Sequence, residues 1–452
     1  MFKAKQNIYF VGIGGIGMSS LARYFNFMKY QVAGYDLTRS ELTQKLEKEG
    51  IPIVYKDDIS LIPESFQISE NTLVVYTPAV PQSHSMLNWF TQNDFEIVKR
   101  AQLLGKLTRE HKAIGVAGTH GKTSISTYLA HILYQSSLKC NAFLGGISGN
   151  YSTNLLFHEK ASYTVVEADE YDRSFLQLDP SLALISSIEP DHLDIYGDFD
   201  AVKEAFQDFA NKTYANNGPV IVKKDAAHLL QSNGLKLTYS AVSEADYYPE
   251  HVEYENGRYV FDLIAKDERI DRVILNMAGS YNFENVIAAA ALALEAGIDK
   301  SDLQQGVATL KGVERRFQLR RNDSIIFIDD YAHHPTEIKA CLESAKMAFP
   351  GKEITAVFQP HLYSRTKDFY EGFGTALNLA DKVFLLPIYP ARELPMEGVT
   401  SKLIADEVDQ AKVELVEMND LVDRLKDSKL ELLVTMGAGD ISTLVPQIEK
   451  EI

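Results

Sequence analysis

Two glycine-bearing turns, each set between an apolar strand-like run and a helix-like run, constrain this chain more than any other feature. Residues 12–17 read Gly-Ile-Gly-Gly-Ile-Gly, a G-x-G-x-x-G between Ile8–Val11 and a helical stretch from Met18 to Lys29. Residues 118–123 read Gly-Thr-His-Gly-Lys-Thr and follow Lys112–Ala117. In the helix after them, Ile125, Leu129, Ile132 and Leu133 share one face. A strand that turns tightly into a helix is the building unit of a parallel α/β sheet. Two such turns, far apart in sequence, call for two α/β bodies.

A chain of 452 residues exceeds one ordinary core. Apolar runs continue beyond the second turn, at Tyr163–Val166 and Leu182–Ser187, and then at Ile325–Ile328, Ile354–Phe358, Val383–Leu386 and Leu432–Thr435. Each of the last four is followed by a helical stretch, so a third α/β body is expected. Polar stretches near 108–111 and 313–316 divide the chain into expected domains 1–107, 108–314 and 315–452. The fold class is α/β with parallel sheets.

The first turn is a diphosphate cradle by its chemistry. Gly12 permits the tight turn, Gly14 lets a pyrophosphate approach the backbone, and Gly17 lets helix and strand pack closely. The helix start then faces the anion. Asp36 ends the next strand, where an acid often bonds a ribose. On this motif alone the plain reading is a dinucleotide site. The second turn departs from the strict P-loop spacing, because Val116 stands where the glycine spacing would otherwise continue. Gly118 and Gly121 still free backbone N–H groups for phosphates, Lys122 can reach the β/γ oxygens, and the Thr123 hydroxyl can ligate Mg²⁺. A nucleoside triphosphate is expected there.

Acids and histidines gather just after the apolar strands. Glu167-Ala168-Asp169-Glu170 ends one strand, and Glu167 is the first choice for Mg²⁺. His192 follows another and suits a second ion. Asp329 to Pro335, Gln359 to Arg365, Ile388 to Glu393 and Gly437 to Asp440 follow the strands of the third section. Five of the eleven histidines (120, 192, 333, 334 and 361) lie in such segments. Strand C-termini line the ligand crevice of an open parallel sheet. Arg315 and Arg316 stand at the second boundary, where a cation can clamp a phosphate.

With 45 basic and 62 acidic residues the net charge is −17, which argues against a nucleic-acid partner. Two cysteines, Cys140 and Cys341, offer neither a metal spacing nor a disulfide framework, as expected for a reducing cytoplasm. No export-type leader and no apolar run of membrane-spanning length is read, so no membrane insertion is expected.

In order along the chain, Gly12–Gly17, Gly118–Thr123, Glu167–Asp172, Glu189–Asp194, Asn282–Asn285, Gly312–Phe317, Asp329–Glu337, Gln359–Thr366 and Gly437–Asp440 resemble the Mur ligases. The resemblance spans nearly the whole chain. It implies a Rossmann-like N-terminal domain for a UDP-sugar, a central P-loop domain for ATP, and a Rossmann-like C-terminal domain that closes over ATP and binds the amino acid. It turns Gly12, Gly14, Gly15 and Gly17, with Asp36 and Arg100, into a sugar-nucleotide site. Gly118, Thr119, His120, Gly121, Lys122 and Thr123 become the ATP loop, with Asn282 and Asn285 near the adenine, Arg316 on the phosphates and Asp330 at the ribose. Thr123, Glu167 and His192 are implied metal ligands. Lys122, His192, Arg316, His334 and Arg365 are implied to carry the chemistry, with His333 beside them and His361 and Arg365 toward the amino acid. Tyr281 replaces a histidine common in the family before Asn282.

The implied reaction is ATP- and Mg²⁺-dependent ligation of L-alanine to the carboxylate of UDP-N-acetylmuramate through an acyl phosphate. Three alternatives stay open on sequence. One is a ligase recycling a whole tripeptide onto the same sugar nucleotide. Another is a NAD-dependent oxidoreductase built on Gly12–Gly17, and the last is a nucleotide-binding protein without catalysis. Oligomeric state is not legible.

Overall fold

The computed structural model describes residues 5–191, 193–255, 257–322, 324–391 and 393–452. These form two compact units. The first is built from residues up to 252 together with 260–275 and 284–311, the second from 253–259, 276–283 and 312–452.

The first unit holds two sheets. Strands β1 (Asn7–Val11), β2 (Gln31–Tyr35), β3 (Ile53–Val54), β4 (Thr72–Tyr76) and β5 (Glu96–Lys99) make a sheet of order β3-β2-β1-β4-β5. All its pairings are parallel, with Val11 opposite Tyr35 on one side and Tyr76 on the other. Strand order reverses at β1, so its C-terminal end opens a crevice beside β4. The first glycine turn lies there, and the helix Ile16–Phe27 follows it.

The second sheet contains β6 (Ala113–Ala117), β7 (Cys140–Phe143), β8 (Leu155–Leu156), β9 (Tyr163–Glu167), β10 (Leu182–Ile185), β11 (Val220–Lys223), β12 (Lys236–Tyr239), β13 (Tyr247–Glu255), β14 (Arg258–Ala265) and β15 (Glu268–Leu275). Its order is β15-β14-β13-β12-β11-β10-β6-β9-β7-β8. β6 sits between β10 and β9, parallel to both and buried along its whole length. The two sheets share one apolar core, in which Phe10 and Leu21 are grouped with Leu104, Phe143, Val166 and Phe206. Continuous burial of this kind explains why the expected 1–107 and much of the expected 108–314 fall in one compact unit.

The sequence reading placed no strands between Leu182–Ser187 and Ile325–Ile328. The structure adds β11–β15 there, and a further strand over Gln318–Asn322. β12, β14 and β15 alternate buried positions with half-buried or exposed ones and β13 is mostly half-buried or exposed, so they lack the continuous apolar run of a two-sided parallel strand; β11 is a short apolar run buried at Val220, Ile221 and Val222. β8 also runs antiparallel to β7 at the sheet edge.

In the second unit, β16 (Gln318–Asn322), β17 (Ile326–Asp330), β18 (Ile354–Phe358), β19 (Lys382–Leu385), β20 (Val413–Leu415) and β21 (Leu432–Met436) are ordered β16-β17-β21-β18-β19-β20. β16 is antiparallel to β17 and the other pairings are parallel. Apolar layers cover both faces of this sheet. The segments after β17, β18, β19 and β21 therefore emerge on one edge. Among the described residues no helix is long and apolar enough to cross a membrane.

Candidate active site

The nucleotide loop begins where β6 ends. Gly118 and Gly121 have φ of +133° and +83°, values that L side chains rarely adopt. A Cβ on Gly118 would also lie 2.1 Å from Ser186 Oγ. The loop is pinned to the tip of β10: Thr119 N–H donates to Ser187 O at 3.2 Å, His120 N–H to Ser187 Oγ at 2.9 Å, and Glu189 N–H to Thr119 Oγ1 at 3.0 Å. The helix Lys122–Gln135 starts directly after Gly121, and no side-chain cap covers its first turn. Its positive end thus points out of the loop toward any anion placed there. A Cβ on Gly121 would meet Asn285 Oδ1 at 2.8 Å, so Asn285 lies against the loop.

Lys122 Nζ lies 2.8 Å and 2.7 Å from the two oxygens of Glu170, and 2.7 Å from Gly118 O. Both side chains are largely buried, at 14% and 4% exposure. Burial opposes the charge on Lys122, but Glu170, with Asp169 and Glu167 behind it, outweighs that and holds the ammonium pKa above the ordinary lysine value. Burial pushes the Glu170 carboxyl up against the pull of Lys122. The lysine is thus kept charged on an internal counter-ion. Glu170 was legible only as one acid in a run; its partner comes from the fold.

Glu167 ends β9 next to β6. Its carboxylate lies over the Cα of Gly145, where a Cβ would sit 2.1 Å from Oε2 and 2.5 Å from Cδ. Gly145 was not singled out in the sequence, since only its contact with Glu167 makes it matter. Among the described residues no group of three His, Cys, Asp or Glu is arranged to hold a metal. Mg²⁺ does not need one: it keeps several waters and binds through one or two carboxylates together with substrate phosphates. An acidic oxygen donor at a strand tip, beside a loop bearing a hydroxyl, fits that habit. His192, expected as a second ligand and a catalytic residue, lies outside the described residues. We expect Gly145→Ala to leave the melting temperature nearly unchanged, because only the flexible end of Glu167 must move. The Mg²⁺ concentration for half-maximal activity should rise about tenfold, read from a Mg²⁺ titration of turnover; an unchanged titration would separate Glu167 from the metal.

The first glycine turn opens on a cleft of about 260 Å³ within the first unit, whose lining reaches the acidic tip of β9. It is lined by Gly15, Gly17, Thr77, Arg100, Gly145 and Glu167, among others. Arg100 begins the helix Arg100–Glu110 and crosses the glycine turn: a Cβ on Gly17 would stand 2.7 Å from its Nη1. Its Nη2 lies 3.7 Å from Asp169 Oδ2. A cation is therefore held between the first turn and the acidic strand tip. Asp36 is bound to the loop itself. Its Oδ2 accepts from Gly14 N–H at 2.7 Å and its Oδ1 from Thr38 N–H at 3.0 Å.

In the second unit the strand-end segments gather a separate set of groups. The Arg315 and Arg316 guanidiniums lie 5.3 Å and 5.2 Å from the Tyr331 ring centroid. Arg315 donates to Asp329 Oδ2 at 3.2 Å and to Gly437 O at 2.6 Å, which fixes it to the sheet. Asp330 is 4% exposed. Its oxygens accept from Phe317 N–H at 2.6 Å, Tyr281 Oη–H at 2.9 Å and Ala332 N–H at 2.7 Å. Tyr281, the family departure, thus holds Asp330. In the helix Ser280–Glu295, which carries Tyr281, Asn282 Nδ2 donates to Ala278 O at 2.9 Å.

The histidines divide by geometry. His334 caps the helix Pro335–Ala348, and its Nδ1 lies 2.8 Å from Thr336 Oγ1. His333 Nδ1 lies 2.9 Å from Tyr331 O, so that nitrogen carries the proton and Nε2 the lone pair. Burial lowers the His333 pKa; Glu337 pulls it back up, and Arg365 and Arg316 push it down again. His361 stacks on Tyr389 at 5.8 Å, and its Nδ1 lies 3.4 Å from Arg365 Nη1. The rings of His333 and His361 are 6.2 Å apart. A neutral imidazole, a second histidine and an arginine thus share one edge of this sheet.

Comparison with known families agrees with the class of protein these features define. Residues 7–112 match the model described as Mur ligase family, catalytic domain, residues 116–293 the Mur ligase middle domain, and residues 315–439 the Mur ligase glutamate ligase domain. The chain belongs to the Mur ligase family, with that family's three-domain α/β architecture. More particularly, it is similar to the UDP-N-acetylmuramate–L-alanine ligase of Phocaeicola vulgatus, 46% identical over 445 residues that cover 98% of this chain and 97% of the relative. The enzyme of the same name from Parabacteroides distasonis is 45% identical, covering 98% and 96%. The crystal structure of UDP-N-acetylmuramate-alanine ligase from Thermotoga maritima superposes with a TM-score of 0.83 at 27% identity, over 98% of both chains. A murein peptide ligase from Psychrobacter arcticus shares the fold, with a TM-score of 0.70 at 20% identity over 99% of this chain and 98% of that one.

Proposed function

We propose that this chain joins L-alanine to the carboxylate of UDP-N-acetylmuramate with consumption of ATP, the first amino-acid addition to a peptidoglycan precursor. The observation that carries the reading is the cleft that runs from the first glycine turn to Glu167 and Asp169, acids that also hold the charge on Lys122 of the second loop. A dinucleotide oxidoreductase leaves the second loop without a task. The recycling ligase needs the same cleft, and the relatives favour the alanine-adding reading: the Phocaeicola and Parabacteroides UDP-N-acetylmuramate–L-alanine ligases align at 46% and 45% identity and the Thermotoga enzyme at 27%, against 20% for the Psychrobacter murein peptide ligase.

A carboxylate accepts an amine only after its oxygen is made a leaving group. The muramate carboxylate oxygen attacks the γ-phosphorus of ATP, the bond to the β-γ bridging oxygen breaks, and ADP leaves. The alanine nitrogen then attacks the acyl carbon, phosphate departs, and the amine proton must be taken up. Gly12, Gly14, Gly15 and Gly17 cradle the UDP pyrophosphate in this reading, and Arg100 holds the carboxylate beside the acidic strand tip. Lys122 leaves Glu170 for the β/γ oxygens and neutralises charge that grows as the phosphoryl group moves. Thr123 and Glu167 would hold Mg²⁺, which adds charge neutralisation at the phosphates. Arg316 is the cation that the family resemblance assigns to the phosphates. Arg365 and His361 suit the amino acid's carboxylate, and His333 Nε2 accepts the amine proton. His334 acts as a helix cap in this scheme and Asp330 as the anchor of Tyr281 and Phe317. Soluble small-molecule substrates of this kind imply work in the cytoplasm.

Phosphate release tests the proposal, measured with UDP-N-acetylmuramate, ATP and Mg²⁺ while single amino acids are added in turn. Alanine-dependent release is the expected result. Release with a muramyl tripeptide's peptide but not with alanine would favour the recycling ligase, and absorbance change with NAD(H) the oxidoreductase.

A further inference from the structure

The glycine-loop helix is tied to the cleft wall by a buried polar junction centred on Asn154, a residue outside both loop motifs. Asn154 is fully buried, at the end of the segment that begins with Leu144 and Gly145. Its Nδ2 donates to Ile16 O at 2.6 Å and to Ser19 Oγ at 2.9 Å, both on the first turn of the helix Ile16–Phe27. Its Oδ1 accepts from Arg23 Nη1 on the same helix. Arg23 is 4% exposed and grips Glu49 with two bonds, at 2.7 Å and 2.8 Å. Through its backbone, Asn154 O accepts from Leu144 N–H at 3.0 Å. Leu144 and Gly145 line the cleft, and Gly145 lies under Glu167. One side chain is thus bonded to the sugar-nucleotide helix while its own backbone is bonded to the wall that carries the metal-side acid.

We propose that Asn154 is a positioning residue: it fixes the glycine-loop helix against the central sheet so that an acid carried by a nucleotide on that loop meets the phosphoryl donor in the cleft. The inference rests on the proposed ligase reading. A buried amide that fills all these bonds cannot be exchanged without leaving a buried carbonyl or guanidinium group short of a partner. Misplacement of two reactants by about 1 Å costs on the order of 10²-fold in rate. The amide's donor end can be removed alone or together with its acceptor end. Asn154→Asp keeps an acceptor for Arg23 but sets an oxygen against Ile16 O; Asn154→Leu removes both ends.

The test is steady-state kinetics of the full chain with each substrate varied, alongside melting curves and nucleotide titration with ADP. Both variants are expected to lose about 10²-fold in kcat/KM for UDP-N-acetylmuramate, with KM for ATP and ADP affinity unchanged. If Asn154→Asp matches the wild type, the helix bonds do not position the substrate and the inference fails. It fails equally if ATP and sugar-nucleotide parameters fall together with melting temperature, since that marks general loss of structure. Absence of alanine-dependent phosphate release in the wild type would instead defeat the ligase reading itself.

Discussion

Lys122→Met is expected to cut ligase turnover by about 10³-fold or more, the scale on which a cation poised at a transferring phosphoryl group acts. The same substitution should also destabilise the first unit. It strands Glu170 at 4% exposure with its counter-ion removed, and breaking one side of a buried pair costs about 3–5 kcal/mol. The two effects separate in the double variant Lys122→Met/Glu170→Gln. Neutralising both partners should restore most of the lost stability, while turnover stays low because no cation reaches the phosphates. Urea melts and phosphate release measured side by side check this. Full turnover in the double variant would remove Lys122 from the reaction.

The Lys122–Glu170 contact also shows where sequence stops being informative. The glycine turns were legible because a strand, a turn and a helix are local, and backbone conformation writes glycine at fixed offsets. The acids after Tyr163–Val166 were legible for the same reason. Glu170 as a partner, Gly145 under Glu167, and Asn154 at the helix Ile16–Phe27 were not, because each contact joins residues far apart in the chain: Asn154 and Ile16 are separated by 138 positions. Carboxylates show the same limit. Asp36 and Asp330 stand at strand ends where ligand contacts are common, and part of their acceptor capacity is taken by backbone N–H groups of the chain, which no sequence pattern announces. The β13–β15 strands were missed because β13 is mostly half-buried or exposed and β14 and β15 alternate, and neither pattern gives the continuous apolar run taken as the strand signal.

His333→Ala is expected to slow amide formation by roughly 10²–10⁴-fold, the range for loss of a positioned proton acceptor. Acyl phosphate formation, trapped with hydroxylamine, should continue, because hydroxylamine attacks as a neutral nucleophile. His334→Ala removes a helix cap and should cost about 1 kcal/mol of stability with turnover close to wild type. The choice between neighbouring histidines rests on their bonds: His334 is spent on the cap and Thr336, whereas His333 donates from Nδ1 to Tyr331 O and keeps Nε2 for a proton. The pH dependence follows with a definite sign. A base must be neutral to act, and His333 titrates below its ordinary 6.5. Alanine-dependent kcat/KM should therefore hold its His333-dependent level as pH falls to 6.5 and decline only at lower pH, as the imidazole takes up its proton. The acid limb should vanish in His333→Ala and persist in His334→Ala. An acid limb that persists unchanged in His333→Ala assigns the proton transfer elsewhere, with His361, whose ring lies 6.2 Å from that of His333, the next group to test.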